Sequence, residues 1–169
     1  SFAETLYPAK YWDLRDFVVL VESGEKSVSS ADGHKIAHTS PLFKDRVERN
    51  LPSRIELVRQ ALEKRDINLL GLLIEEEARE LHEVARTSTP PIVYATEKTW
   101  EIADNILPRW RRQGILAYFT LDAGPNVHII FPSQYIPQVH VRLRKDLPGL
   151  EYIENIPSDG ATVSYNHLF

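Results

Sequence analysis

The stretch of this chain with the most chemical possibility is Tyr118-Phe119-Thr120-Leu121-Asp122-Ala123-Gly124-Pro125-Asn126. A lone carboxylate follows an apolar run and enters a glycine turn. Asp122 therefore stands at a strand end, where backbone can approach a ligand closely. An Asp in this position can also cap its own turn, and on spacing alone that is the better reading. A second polar stretch, Glu25 to Ser40, contains Lys26, Ser29, Ser30 and Gly33. Hydroxyls and free backbone N–H groups on a glycine-bearing loop suit an anion, although spacing alone fits a solvated loop better. Lys26 would add a positive charge or simply sit at the surface. His34 and His38 are four apart and would face one metal if helical, but spacing places no third ligand, so both read as structural or solvent-exposed. His82 reads as a buried, hydrogen-bonded helix residue rather than an acid–base group.

The elements that would position these groups follow from periodicity. Residues 1–15 form a packed, irregular lead-in containing Tyr7, Tyr11 and Trp12. Asp16 to Glu22, with Phe17-Val18-Val19-Leu20-Val21, reads as a strand buried on both faces. Ser40 is expected to cap a helix that carries Pro41 at its first position and runs to about Asn50. Ser53 is expected to cap the next, ending near Lys64-Arg65, and Asp66 a third, striped by Leu70, Leu73, Ile74, Ala78, Leu81 and Val84. The opposite side of that third helix carries Glu75, Glu76, Glu80 and Glu83, which reads as a solvated face. Trp100 to Leu107 marks a fourth helix, kinked or ended by Pro108. Ile115 to Leu121 and Val127 to Phe131 read as strands joined in a hairpin by the five residues Asp122 to Asn126. Ser133 to Lys145 reads as a helix and Tyr152 to Ile156 as a last strand. This order predicts an α+β domain: a mainly antiparallel sheet with helices packed on one face.

Composition narrows the function classes. A chain of 169 residues with 43% apolar side chains fits one domain with a sizeable core. Its net charge of −4 argues against coating nucleic acid but allows a local basic pocket for a phosphorylated small molecule. Without cysteine there is neither a disulfide framework nor a thiolate zinc site, a composition suited to a reducing cytoplasm. No apolar run approaches a membrane span. The chain also contains no methionine, so an initiator was removed or the chain starts inside a longer gene product.

The turn segment resembles a family motif. Thr120-Leu121-Asp122-Ala123-Gly124-Pro125-Asn126 is similar to the Thr-Phe-Asp-Ala-Gly-Pro-Asn stretch of the mevalonate diphosphate and phosphomevalonate decarboxylases of the GHMP-kinase superfamily. Other landmarks follow in the family's order: Trp12-Asp13-Leu14-Arg15; the Glu25 to Gly33 loop with its paired Ser29-Ser30; Thr39-Ser40-Pro41-Leu42 followed by Arg46; then His82 and Pro90-Pro91-Ile92-Val93-Tyr94. The resemblance covers about residues 1–131. It implies that residues 1–169 are a single C-terminal GHMP-type domain, and that ATP and Mg2+ are bound mainly by an N-terminal half absent from this chain. It implies further an ATP-dependent decarboxylase of a 5-phosphorylated mevalonate, cytoplasmic and homodimeric, inactive as this chain alone. The 3-hydroxyl would be phosphorylated and then lost with carbon dioxide, giving an isopentenyl phosphate or diphosphate. By the resemblance, Asp122 lies beside the 3-hydroxyl as the catalytic carboxylate, and Lys26, Ser29, Ser30, Ala123 and Gly124 contact substrate. No metal-ligating residue, nucleic acid or membrane is implied.

Two departures matter. Ala31 stands where some diphosphate-specific members carry an Arg, and Asp32 follows it, which favours a substrate with less charge at that end, the monophosphate. Glu77, Arg79 and Glu80 replace an Asp-Ser-Asn-Gln run, which puts a substrate contact from that helix in doubt. The alternatives are a mevalonate 3-kinase-like enzyme, disfavoured because Asp122 is retained, and a non-catalytic α+β binding module.

Overall fold

The computed structural model describes residues 4–22 and 28–160. Four strands, β1 (Leu14–Val19), β2 (Tyr118–Leu121), β3 (Val127–Pro132) and β4 (Tyr152–Asn155), form one sheet in the order β2-β3-β1-β4, with every pairing antiparallel. Among the described residues the helices are α1 (Ser30–Ile36), α2 (Phe43–Asp45), α3 (Leu51–Lys64), α4 (Ile67–Thr87), α5 (Glu97–Glu101), α6 (Leu107–Arg112) and α7 (Ile136–Asp146). The expected α+β architecture, with its antiparallel sheet, is present.

Alternation of side chains along each strand sends Phe17, Val19, Phe119, Leu121, Val127, Ile129 and Phe131 to one face, where all are buried. Ile102, Ala103, Ile106, Leu107 and Trp110, with Val139 and Leu143 of α7, close over that face. The Phe17 and Phe131 rings meet edge to face at 4.9 Å. The fully buried Trp110 donates its indole N–H to Asp146 at 2.8 Å, which satisfies its polar atom inside the core. On the other face Tyr118 is buried, whereas Asp16, Val18, Thr120, His128 and Ile130 are only half-buried. β1 is therefore not buried on both faces. Its continuous apolar run reflects a central position between β3 and β4 with one core-facing side.

Helix α4 runs against the free edge of β2. Gly71 allows the approach: a Cβ there would collide with the ring of the buried Tyr118. Glu75 closes the edge by accepting the otherwise unpaired Phe119 N–H at 3.3 Å and the Arg111 guanidinium at 2.7 Å. An unpaired strand edge is thus covered by a helix.

Several boundaries differ from the periodicity reading. Ser40 does not start a helix; its hydroxyl accepts from the Leu42 N–H and pairs with Thr87 at 2.7 Å, tying the turn to the end of α4. Ser53 caps nothing, because one helical run extends from Phe43 to Lys64, with a π-helical stretch over Arg46–Asn50. Pro52 is accommodated at the junction, where α3 begins and a missing N–H costs least. Pro108 likewise follows a π stretch, Ile102–Ile106, and the helix continues to Arg112. Asp66 does cap α4, accepting from the Asn68 and Leu69 N–H groups at 3.0 Å.

The glutamates of α4 are the largest correction. Glu75 is buried, and Glu77 and Glu80 bind Arg46 and Arg54, which are 9% and 6% exposed. Arg54 also reaches Glu76 at 3.0 Å, and Asn50 donates to Glu80. Only Glu76 and Glu83 keep much of their surface in water. A solvated face is what the periodicity of a single helix suggests; the cations that cover this one come from the helix packed against it.

Candidate functional site

Asp122 begins the turn between β2 and β3, and this turn is anchored through its main chain. The His82 ring Nε2 lies 3.0 Å from the Asp122 carbonyl, which can only accept, so His82 donates. Gly124 N–H donates to the same carbonyl at 2.8 Å. The fully buried Thr99 hydroxyl donates to the Pro125 carbonyl at 2.6 Å. Asn126 Oδ1 accepts from the Val21 and Glu22 N–H groups at 2.9 and 3.2 Å, joining the turn to the chain leaving β1. His82 is buried, which pushes its pKa below the usual imidazole value, with the Asp122 carbonyl contact opposing the shift. Burial thus favours the neutral ring, with its proton on Nε2 for this bond, and the structural reading of His82 is the one observed.

The Asp122 side chain takes no part in this anchoring. It is 84% exposed and accepts no hydrogen bond among the described residues, so it does not cap its own turn. His128 Nε2 faces its Oδ2 at 3.8 Å. The Nδ1 of His128 lies 3.1 Å from Asp16 on β1. That hydrogen bond pushes the His128 pKa above its ordinary 6.5, with burial opposing. A raised folded-state pKa means that the pair stabilises the fold fully below about pH 6.5 and loses that contribution as pH rises through the folded-state value. Asp16→Asn should therefore cost stability near pH 5.5 and much less near pH 9, as read by urea denaturation at the two pH values (roughly one unit below and over two above an ordinary imidazole pKa). An equal loss at both would contradict the charged pairing.

A cavity of about 350 Å³ opens beside Asp122 and Ala123, with Ser30, Gly33 and His34 of α1 opposite and Tyr94 in its wall. The structure thus brings Asp122, Ala123 and Ser30 together around one space. Gly33 lets the Tyr94 hydroxyl come close, since a Cβ there would push that hydroxyl away. That hydroxyl is buried and has no partner among the described residues. Ser29 sits one residue earlier as the N-cap of α1: its hydroxyl accepts the Asp32 N–H at 3.1 Å and donates to the Asp32 carboxylate at 2.7 Å. Asp32 is held by Lys35 at 2.8 Å, and that contact, then Ser29, keeps its carboxyl below the usual range. Gly124 is buried within the turn and contributes its backbone N–H to Asp122 rather than to the cavity. Lys26 lies outside the described residues.

A larger open groove of about 580 Å³ runs along the other side of His82 and Tyr94. Its arginines are already paired, Arg79 with Asp104 at 2.5 Å and Arg86 with Glu83 at 2.6 Å, so it offers an anion little. The cavity at Asp122 is the better candidate. Sequence reasoning missed Thr99, Asp16 and His128; Thr96-x-x-Thr99 is a capping box, the one local signal available for the first of them.

Residues 17–166 match the family model described as the mevalonate 5-diphosphate decarboxylase C-terminal domain. The chain belongs to this family. The match extends the likeness beyond residue 131, through β3, α7 and β4. Among curated relatives, a diphosphomevalonate decarboxylase of Danio rerio is 32% identical over 143 residues, covering 82% of this chain and 35% of the relative. The mevalonate diphosphate decarboxylase structure from Staphylococcus aureus superposes with a TM-score of 0.80 at 26% identity, covering 88% of this chain and 45% of that one. A complex described as MDDEF with MVAPP, AMPPCP and magnesium gives 0.78 at 27% identity, covering 89% and 47%. The chain therefore spans less than half the length of these relatives. The fold agrees with the GHMP-type C-terminal domain expected from the motifs.

Proposed function

We propose that this mevalonate-decarboxylase domain supplies the catalytic carboxylate of an ATP-dependent decarboxylase acting on a 5-phosphorylated mevalonate. The observation that carries this reading is Asp122: an unencumbered carboxylate on a turn anchored by His82, Thr99 and Asn126, facing a cavity of small-ligand size. A carboxylate fixed in this way can orient a tertiary alcohol and accept its proton as a phosphoryl group is transferred to the oxygen. Ser30 and the backbone at the start of α1 lie across the cavity, placed to meet the rest of the substrate.

The sequence has no glycine-rich phosphate cradle, and no group of three His, Asp or Glu side chains that could hold a metal gathers among the described residues. Nucleotide contacts would then fall to the part of the relatives that this chain does not cover, and Asp122 is this chain's principal carboxylate toward the reacting centre. ATP with Mg2+, as the AMPPCP and magnesium in the related complex suggest, would supply the phosphoryl group. The cytoplasm and a homodimer are the expected setting.

The 5-phosphate end is the point of choice between substrates. Ala31 and Asp32 both lie on α1, the helix whose Ser30, Gly33 and His34 line the cavity; Ala31 offers no guanidinium to grip a second phosphate, and Asp32 beside it adds a carboxylate. In the complete enzyme, kcat/KM should favour 5-phosphomevalonate over 5-diphosphomevalonate, measured side by side in a coupled ADP-release assay. A preference for the diphosphate by a factor of about ten, roughly 1.4 kcal/mol of transition-state binding, would contradict this assignment of the loop.

A further inference from the structure

The half-buried face of the sheet carries two polar side chains on neighbouring strands, Asp16 and His128, and the second of them reaches toward Asp122. In the β1–β3 register Val18 faces His128 and Asp16 faces Ile130, so Asp16 and His128 are diagonal neighbours on one face. Both Asp16 carboxylate oxygens lie within reach of His128 Nδ1, at 3.2 and 3.1 Å. A carboxylate only accepts, so Nδ1 carries the proton and the ring orientation is fixed. That orientation leaves Nε2 pointing toward Asp122 Oδ2 at 3.8 Å. One imidazole thus stands between two carboxylates, one structural and one at the mouth of the cavity.

We propose that His128, held by Asp16, is a positioning residue that presents its Nε2–H to Asp122 and keeps this carboxylate aimed into the cavity. The inference rests on the reading of Asp122 as the catalytic group. Its physical basis is electrostatic: phosphate oxygens repel a carboxylate working beside them, and a protonated imidazole on its other side offsets that repulsion and holds the side chain in place. Among the described residues, His128 is the cation paired with Asp122. The titratable groups facing His128 are Asp16 from β1 and Asp122 from the turn; its register partners are Val18 on β1 and Thr120 on β2. Both carboxylates raise the His128 pKa, Asp16 through the hydrogen bond foremost, so the ring holds its proton to higher pH than a free imidazole. As pH rises through that value the cation is lost, and the support for Asp122 with it.

The test has two arms. In the first, the imidazole of His128 is titrated by 15N NMR in the chain, with Asp122→Asn and Asp16→Asn for comparison. Removing either negative charge should lower the His128 pKa, Asp16→Asn the more, by roughly half a unit or greater. An unmoved value in Asp122→Asn would mean that the two side chains do not interact and would overturn the proposal. In the second arm, kcat and KM of the complete enzyme are followed against pH. His128→Gln should lower kcat by about tenfold, at the low end of what a positioned proton-transfer group contributes, leave KM little changed and abolish the alkaline limb. Asp16→Asn should move that limb to lower pH, and His128→Lys, which keeps the cation, should recover most of kcat. If Asp122→Asn is inactive while His128→Gln keeps wild-type kcat and pH profile, the positioning role fails and the assignment of Asp122 stands. If Asp122→Asn is itself fully active, the functional assignment fails, and this proposal with it, whatever the titration shows.

Discussion

Asp122→Asn should lower kcat of the complete enzyme by ~10²-fold or more, the scale of general-base catalysis, with a far smaller change in KM. The substitution keeps size and one acceptor but removes the charge that orients the hydroxyl and takes its proton. The structure predicts little collateral damage. The turn is held through the Asp122 carbonyl by His82 and Gly124, through the Pro125 carbonyl by Thr99, and through Asn126, and none of these contacts uses the Asp122 carboxylate. The side chain is also largely exposed, so no core volume is lost. The melting temperature should move by only a few degrees, as expected for a change of under about 1 kcal/mol in a domain of this size. A variant that turns over normally but melts much earlier would make Asp122 a structural residue.

The largest effect on stability is expected at Arg54. Its guanidinium is 6% exposed and meets Glu76, Glu77 and Glu80, while Arg46 meets the last two from about two turns earlier in the same helical run. These carboxylates hold Arg54 firmly protonated despite the burial that opposes its charge. Arg54→Ala leaves Glu77 and Glu80 sharing one remaining guanidinium in a partly desolvated interface between α3 and α4. Breaking a buried ion pair from one side costs about 3–5 kcal/mol, and the expected loss, read from urea denaturation at neutral pH, lies near the lower figure because Glu76 is exposed. Adding Glu77→Ala should restore part of the loss, since two residues in contact couple. A loss below about 1 kcal/mol, the range of surface ion pairs, would place this network outside the structural core.

These two residues also show what sequence could and could not reveal. Asp122 was legible because its neighbours form a short, contiguous motif, and because the strand–turn–strand pattern around it is local. The Asp66 cap, the β2–β3 hairpin and the antiparallel sheet were legible for the same reason. The Arg54 network was not. Its partners lie 22 to 26 residues away on another helix, and a glutamate run alone reads as a solvated face. The Asp16–His128 contact spans 112 positions and depends on strand register, which composition does not give. Helix boundaries at Ser53 and Pro108 were misjudged because π-helical stretches let the chain pass a proline that an ideal α-helix would end on. The Ser29 hydroxyl is engaged by Asp32 as a helix cap while Ser30 reaches the cavity, a difference set by where α1 begins.

The central claim is that this domain carries the carboxylate of a decarboxylase and not of a kinase that stops at the phosphate. Counting carbon dioxide and ADP together, from the complete enzyme supplied with ATP, Mg2+ and 5-phosphorylated mevalonate, tests it most directly. The wild-type enzyme should release one carbon dioxide for each ADP, and the Asp122→Asn enzyme should release neither at an appreciable rate. ADP formed without carbon dioxide, with a 3-phosphorylated product accumulating, or an Asp122→Asn enzyme that matches the wild type in both counts, would contradict the account.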